Sequence, residues 1–397
     1  MGKRIKKTTP VVVLAYNRPR SLEQLLVSLN KAHYSGEKPE LIISIDAGAP
    51  EEVINVAETF HFKFGPKRII NRDKSLGFKK HILTCGDISE TDGSVIILKD
   101  GLIMSSEYFL YATRALSEYR SEDKVAGISL YSQRFNETAQ LPFEPMPDEN
   151  STYFMQLACS RGQAWTAEQW GRFKKWLANN ETIEEHDELP QNMKLWGKDS
   201  WKKLLNIYLL KSQTYFAYPY RSYTTNDPSQ GGQNLVNKGG LFQVPIGLYS
   251  NGNPVFRFPS FKNQPIRYDM FMEYNAARMA MQLELAYHEL CVDLYGTKPD
   301  SILKKHNYVI TPRTGGEPLR SFRLSLKPME LNILNPLLTE GKPFFHLYAK
   351  DQLRHLKPLS KRQFAEMATY FSYVKPAGSQ YLKEYISDLF SKIFLKR

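Results

Sequence analysis

The sequence predicts an α/β fold, a parallel sheet covered by helices on both faces, with an α+β extension at the C-terminal end. Two observations carry this. Over the first 130 residues, short unbroken apolar runs such as Val11–Tyr16, Leu41–Ile45 and Ser94–Leu98 alternate with stretches whose apolar residues recur at helical spacing. Each of these runs also ends on a polar, turn-forming cluster. Strands buried on both faces read as continuous hydrophobic runs, and repeated β-α-β units place helices on both faces of a parallel sheet.

Taken in order, Val11–Tyr16 is a first strand, broken by Asn17, Arg18, Pro19 and Arg20. Ser21 then offers a helix cap with Gln24 three residues on, and Leu22, Leu25, Leu26 and Leu29 follow on one helical face. Leu41–Ile45 is a second strand ending at Asp46, residues 51–60 a second helix, Arg68–Ile70 a short strand and residues 78–88 a third helix. Ser94–Leu98 is a further strand ending at Lys99, Asp100 and Gly101; a helix over 108–119 and a strand over Val125–Leu130 complete the pattern. A Pro- and acid-rich loop follows at 142–150, and then a segment that holds all five tryptophans, Trp165, Trp170, Trp176, Trp196 and Trp201. A long helix is expected from about Tyr268 to Leu294. An amphipathic one is expected near the end, where Tyr381, Leu382, Tyr385, Ile386, Leu389, Phe390, Ile393 and Phe394 recur at helical spacing. Such a helix docks on its own protein or a partner, or, if exposed, suits an anionic membrane surface. The expected domains are 1–245 and 246–397.

Composition narrows the class. The chain has 397 residues, 42% hydrophobic and 13% aromatic, enough for a sizeable core and against global disorder. Its three cysteines, Cys85, Cys159 and Cys291, are far apart, which argues against a zinc site or a disulfide framework and fits a reducing compartment. No apolar run approaches the roughly 20 residues that span a bilayer. The apolar stretch after the basic start, Val11–Leu14, is too short for a signal-peptide core. A cytoplasmic location follows as the expectation. The net charge of +12 suits nucleic acid, nucleotide phosphates or anionic lipid. With no nucleic-acid-binding module in the sequence, nucleic acid is set aside.

In open α/β sheets ligands sit at the carboxyl ends of the strands. Three polar clusters fall there: Asn17 with Arg18, Asp46, and Lys99 with Asp100. The segments around them, Val11–Arg18, Ile43–Asp46, Asn71–Gly77, Val95–Phe109, Ser160–Trp165, Trp196–Trp201 and Tyr218–Asn234, resemble the nucleotide-sugar glycosyltransferases of GT-A (Rossmann-like) fold. Within these the chain is similar to bacterial family-two-like enzymes that also resemble N-acetylglucosaminyltransferase I. The resemblance covers roughly residues 8–240. It implies an inverting transfer of a sugar from a nucleotide-sugar donor, UDP-linked, to a saccharide or lipid-linked acceptor in cell-surface polysaccharide synthesis.

The resemblance also assigns roles. It puts Arg18 near the nucleotide and makes Asp46 the acceptor for a base N–H; the alternative for Asp46 is a cap on the helix that follows. It implies a divalent cation, Mn²⁺ or Mg²⁺, on a Glu-Asp-Asp motif after an apolar strand. Here that stretch reads Lys99-Asp100-Gly101, so Asp100 is the one metal ligand kept. Glycine supplies no side-chain oxygen and lysine repels a cation, whereas both metals want hard oxygen ligands. Arg161 stands where relatives usually have Trp, and Gln233-Asn234 where they tend to have His. Either the site no longer turns over, leaving a scaffold that binds nucleotide-sugar or partner enzymes, or Lys99 and Arg161 serve the diphosphate without metal. Asp199 matches the catalytic carboxylate, with Asp227 second; the alternative for Asp199 is a cap on a helix starting at Ser200. Trp165 is a candidate for lining the acceptor site, against core packing. A nucleotidyltransferase would want a Gly-rich loop after the first strand, and residues 17–20 contain no glycine.

Overall fold

The computed structural model describes residues 8–180, 188–227, 240–251, 253–335 and 341–372. The chain divides into two compact units, one of Met1–Phe135 with Pro145–Tyr274, the other of Asn136–Glu144 with Asn275–Arg397.

The first unit opens with β1 (Val11–Ala15), α1 (Pro19–Leu29), β2 (Leu41–Ile45), α2 (Glu51–Thr59), β3 (Lys67–Asn71), α3 (Gly77–Gly86), α4 (Ile88–Asp92), β4 (Ser94–Lys99), β5 (Leu102–Met104), α5 (Tyr108–Glu118) and β6 (Val125–Ser129). The short β7 (Phe135–Asn136) and β8 (Leu141–Pro142) come next in the chain, β8 lying in the segment that belongs to the second unit. They are followed by β9 (Thr152–Met155), β10 (Gln163–Thr166), α6 (Ala167–Ala178), α7 (Gln191–Lys194), α8 (Trp201–Ser212), β11 (Tyr215–Pro219), β12 (Thr224–Asn226) and β13 (Arg267–Tyr268). The main sheet has nine strands in the order β13-β9-β11-β6-β10-β4-β1-β2-β3. Its β3-β2-β1-β4 half is wholly parallel, the doubly wound order. The other half is mixed, because β10 lies antiparallel between β4 and β6 and β9 lies antiparallel to β11. The expectation of a purely parallel sheet is corrected to that extent.

All five residues of β1 and of β2 are buried, as their unbroken apolar runs require. Val11, Val13 and Ala15 join one core with the leucines of α1, Val53 and Ala57 of α2 and Tyr111 and Ala112 of α5. The opposite face carries α3, α4, α6 and α8. There Gly86 is required by packing: a Cβ on it would stand 2.1 Å from the Trp170 ring. Helix α1 starts on Pro19 with Arg18 as its cap, not on Ser21, which is buried inside the helix. Proline's fixed φ and missing N–H suit the first helical turn.

The second unit contains α9 (Ala276–Gln282), β14 (Leu290–Val292), α10 (Asp300–Leu303), β15 (Tyr308–Thr311), β16 (Arg320–Phe322), α11 (Leu331–Leu334), β17 (Phe345–Ala349) and α12 (Lys361–Phe371). Its four-stranded sheet, β14-β15-β17-β16, makes it an α+β body. The long helix expected over Tyr268–Leu294 is not formed. Asn275 caps α9, Glu284 takes φ +61 just beyond its end, and Leu290–Val292 pairs with Tyr308–Ile310. Strand pairing has overridden local helical spacing. Fully buried Asp293 ties this unit together, accepting from the Lys298 amide and Thr311 Oγ1 and pairing with Arg313. The amphipathic pattern at 381–394 lies outside the described residues. Among the described residues no helix is long and apolar enough to cross a membrane.

Candidate functional site

The carboxyl ends of β1, β2 and β4 bring together most of the residues that the sequence singled out, and they are built in two different ways. At the end of β2, Asp46 is buried and saturated. Its Oδ1 accepts the amides of Ala47 at 3.1 Å and Leu76 at 2.8 Å; its Oδ2 accepts Ser75 Oγ at 3.3 Å and the Gly77 amide at 3.1 Å. Burial pushes the carboxyl up, but the amides of Leu76, Ala47 and Gly77 and nearby His81 outweigh it and hold Asp46 below the ordinary carboxylate range. A carboxylate offers about four acceptor sites, and four donors occupy them. Asp46 therefore pins the start of α3 in place. It does not cap α2, the helix that follows it, and the base-edge role expected for it would compete with these four donors.

At the end of β4 the charges are crowded instead. The Asp100 amide donates to Leu14 O at 2.9 Å, so the turn after β4 is fixed to the end of β1. Asp100 is 6% exposed. Burial raises its pKa, against the pull of Arg18, Lys99 and the Tyr16 amide. Arg18 Nη1 stands 3.9 Å from Asp100 Oδ1. Lys99 is half-buried. Burial holds its ammonium below the usual range, as do Arg18, Arg161 and Lys202, with Asp100 alone acting the other way. Gly101 takes φ +84, a left-handed backbone that glycine accepts freely.

The other residues divide. The Arg161 guanidinium lies 4.0 Å from the Phe242 ring centre and 5.0 Å from that of Tyr131, and its carbonyl accepts Thr224 Oγ1. Asp227 is buried directly after β12, which pairs with β5, and its amide donates to Gly101 O at 2.8 Å. Asp199 is exposed on the turn before α8, and the cap of that helix is Ser200, whose side chain accepts from the Lys203 amide. Trp165 is corrected from acceptor wall to core. It is fully buried in β10, its Nε1 bonds Gln163, and its ring packs on Trp170, Phe173 and Phe216. Gln233-Asn234 lies outside the described residues.

Two residues were missed. Lys202, in the first turn of α8 with its ammonium 4.8 Å from the Trp196 ring, reaches Lys99 electrostatically. The only hint of it was its place beside the matched Trp196–Trp201 segment. Tyr16 closes an apolar run that predicts a buried strand, yet it is 46% exposed, beside the loop that carries Gly48.

A divalent cation fits these residues poorly. Gly101 offers no side-chain oxygen, Asp100 already faces Arg18, and Lys99 adds a second positive charge. Among the described residues no three His, Cys, Asp or Glu side chains gather at one point.

No protein-family model matches the chain, and no curated protein does. Solved structures similar to it include a mannosyltransferase, PcManGT, from Pyrobaculum calidifontis in complex with GDP-Man and Mn²⁺, at 14% identity and TM-score 0.37, covering 58% of this chain and 59% of that one. TarS 1-349 from S. aureus in complex with UDP-GlcNAc aligns at 12% identity and TM-score 0.38, over 58% of this chain and 61% of that one. GalNAc-T7 with UDP, GalNAc and Mn²⁺ aligns at 10% identity and TM-score 0.38, over 55% and 43%. The chain thus spans about three fifths or less of these proteins' lengths. At such identities and scores the likeness assigns no activity.

Proposed function

We propose that the chain is an inverting glycosyltransferase, taking a sugar from a UDP-linked donor to a saccharide or lipid-linked acceptor in cell-surface polysaccharide synthesis. One observation carries the reading. At the carboxyl ends of β1 and β4, Arg18, Lys99, Arg161 and Lys202 gather around the carboxylate of Asp100. That surplus of positive charge lies where an α/β sheet binds its ligand and where a diphosphate would sit. The segments that resemble nucleotide-sugar glycosyltransferases, among them Val11–Arg18, Val95–Phe109 and Trp196–Trp201, support the sugar-transfer chemistry. Tyr16 offers the base an aromatic face. Asp227, buried beside Gly101, lies on the phosphate side. Asp199, exposed on the turn before α8, serves in this reading as the base for the acceptor hydroxyl. A cytoplasmic setting agrees with three buried cysteines, none of them in a disulfide among the described residues. Peripheral membrane contact through the C-terminal basic and aromatic segment belongs to the same proposal.

A second reading, an inactive scaffold that binds nucleotide-sugar or partner enzymes, is favoured by Lys99 and Gly101, neither of which is a metal ligand. Calorimetric titration with UDP, followed by assay of UDP release from a panel of UDP-sugars and acceptors, separates the two. Binding with release supports the enzyme; binding without release in any pairing supports the scaffold; no binding of UDP or any UDP-sugar sinks the enzyme and the nucleotide-sugar form of the scaffold.

A further inference from the structure

The geometry points to a diphosphate seat made of side-chain cations in place of a divalent metal: Arg18, Lys99, Arg161 and Lys202 hold the phosphates directly, and Asp100 holds Arg18 instead of a metal. The inference rests on the nucleotide-sugar reading of the same site and goes beyond it by naming what neutralises the donor.

Three observations carry it. A Cβ built on Gly101 would stand 3.1 Å from Arg18 Nη1. The direction in which a ligand side chain at position 101 would leave the backbone is therefore filled by a guanidinium. The same Nη1 lies 3.9 Å from Asp100 Oδ1, so the carboxylate already faces a cation belonging to the chain. Finally, Lys99 is half-buried and acted on by three like charges and one opposite charge. A half-buried ammonium beside like charges favours a counter-charge at its head. A diphosphate supplies it. The guanidinium presents a planar fork to phosphate oxygens and the ammonium a compact point charge, so the two residue types divide the work of two phosphates. The Phe242 and Tyr131 rings fix the plane of the Arg161 guanidinium.

This arrangement makes an unusual demand on the empty protein: the seat works against stability. Replacing Lys99 by Met removes an unfavourable charge and keeps the side-chain length. Lys99→Met is therefore expected to raise the melting temperature while lowering UDP affinity roughly tenfold or more, the loss typical of a hydrogen bond to a charged group. A cation present only for structural reasons would show the opposite sign in stability. Lys202→Met is expected to lower UDP affinity as well.

The experiment is calorimetry on the full chain with UDP and with inorganic pyrophosphate, each in EDTA and in MnCl₂, for wild type, Lys99→Met and Lys202→Met, alongside thermal melts. The expected result is UDP affinity that changes less than about threefold between EDTA and Mn²⁺, well under the 1.4 kcal/mol of a tenfold change, and that falls in both variants. UDP binding abolished by EDTA and restored by Mn²⁺ overturns the seat and leaves the nucleotide reading standing. Unchanged UDP affinity in both variants also overturns the seat. Pyrophosphate binding that depends on Lys99, with UDP bound no tighter than pyrophosphate, keeps the seat and removes the nucleotide reading. No binding of either compound under either condition removes both.

Discussion

The ends of β2 and β4 lie in the same half-sheet, carry the same kind of polar residue, and do opposite things with it. Asp46 meets four donors and has a depressed pKa; the lowering marks a charge the fold wants. Lys99 and Asp100 are both shifted toward their neutral forms, because burial costs more than their partners return. A satisfied polar group is part of the scaffold, whereas a crowded, under-compensated one is stored strain that a ligand can relieve. Position at a strand end does not separate the two. The inventory of partners does.

The largest effect that sharpens this comparison is expected at Trp165, which pairs with Val95 at the start of β4 and belongs entirely to the satisfied class. Trp165→Ala is expected to cost about 3–5 kcal/mol, measured by urea unfolding. A loss under about 1 kcal/mol together with a changed acceptor preference would return Trp165 to the acceptor wall.

Asp199 should behave in the other way. It is exposed, so Asp199→Asn is expected to leave stability within about 0.5 kcal/mol. UDP release from the productive donor is expected to slow by about 10²-fold, with UDP affinity unchanged. A normal rate would move the base to Asp227 or elsewhere.

Asp46→Ala is expected to cost about 2 kcal/mol, because several donors at the start of α3 lose a charged acceptor, while UDP affinity of the folded protein changes less than about threefold, or 0.7 kcal/mol. A large affinity loss with little destabilisation would restore the base-edge role. The pH dependence gives a second readout. A carboxyl depressed in the folded state contributes stability that is present above its unfolded pKa of about 3.9 and lost as pH falls through the folded value. Asp46→Asn is therefore expected to flatten the acid limb of the stability curve relative to wild type.

The smallest effect is expected at Tyr16. Tyr16→Ala should weaken UDP by about tenfold, within the 1–3 kcal/mol of base stacking, and leave pyrophosphate binding unchanged. Equal losses for the two ligands would show that the ring does not face a base.

Much of the first unit was legible. The runs at Val11, Leu41 and Ser94 are strands within a residue or two, since a strand buried on both faces leaves no freedom in composition. Arg18, Lys99, Asp100 and Arg161 were legible because they end strands or interrupt a motif. Lys202 was not, because its relevance depends on α8 bringing its first turn toward β4. Trp165 was misassigned for a related reason: an aromatic residue near a motif looks the same whether its ring faces a sugar or Trp170. In the second unit, residues 283–292 repeat at helical spacing yet leave α9 and enter a strand, because pairing with Tyr308–Ile310 is non-local.

By itself, then, the sequence determined the alternation of buried strands and helices, the parallel half-sheet, and the chemical types at its strand ends, all consequences of short-range hydrophobic patterning and turn chemistry. Tertiary structure alone decided three things. It inserted β10 antiparallel between β4 and β6. It closed Asp46 with donors 29 to 31 residues away. And it assembled the cationic cluster from positions 18, 99, 161 and 202. Each depends on which backbone and which charges meet across the sheet, and Coulomb and hydrogen-bond energies are set by distances in space, not by spacing along the chain.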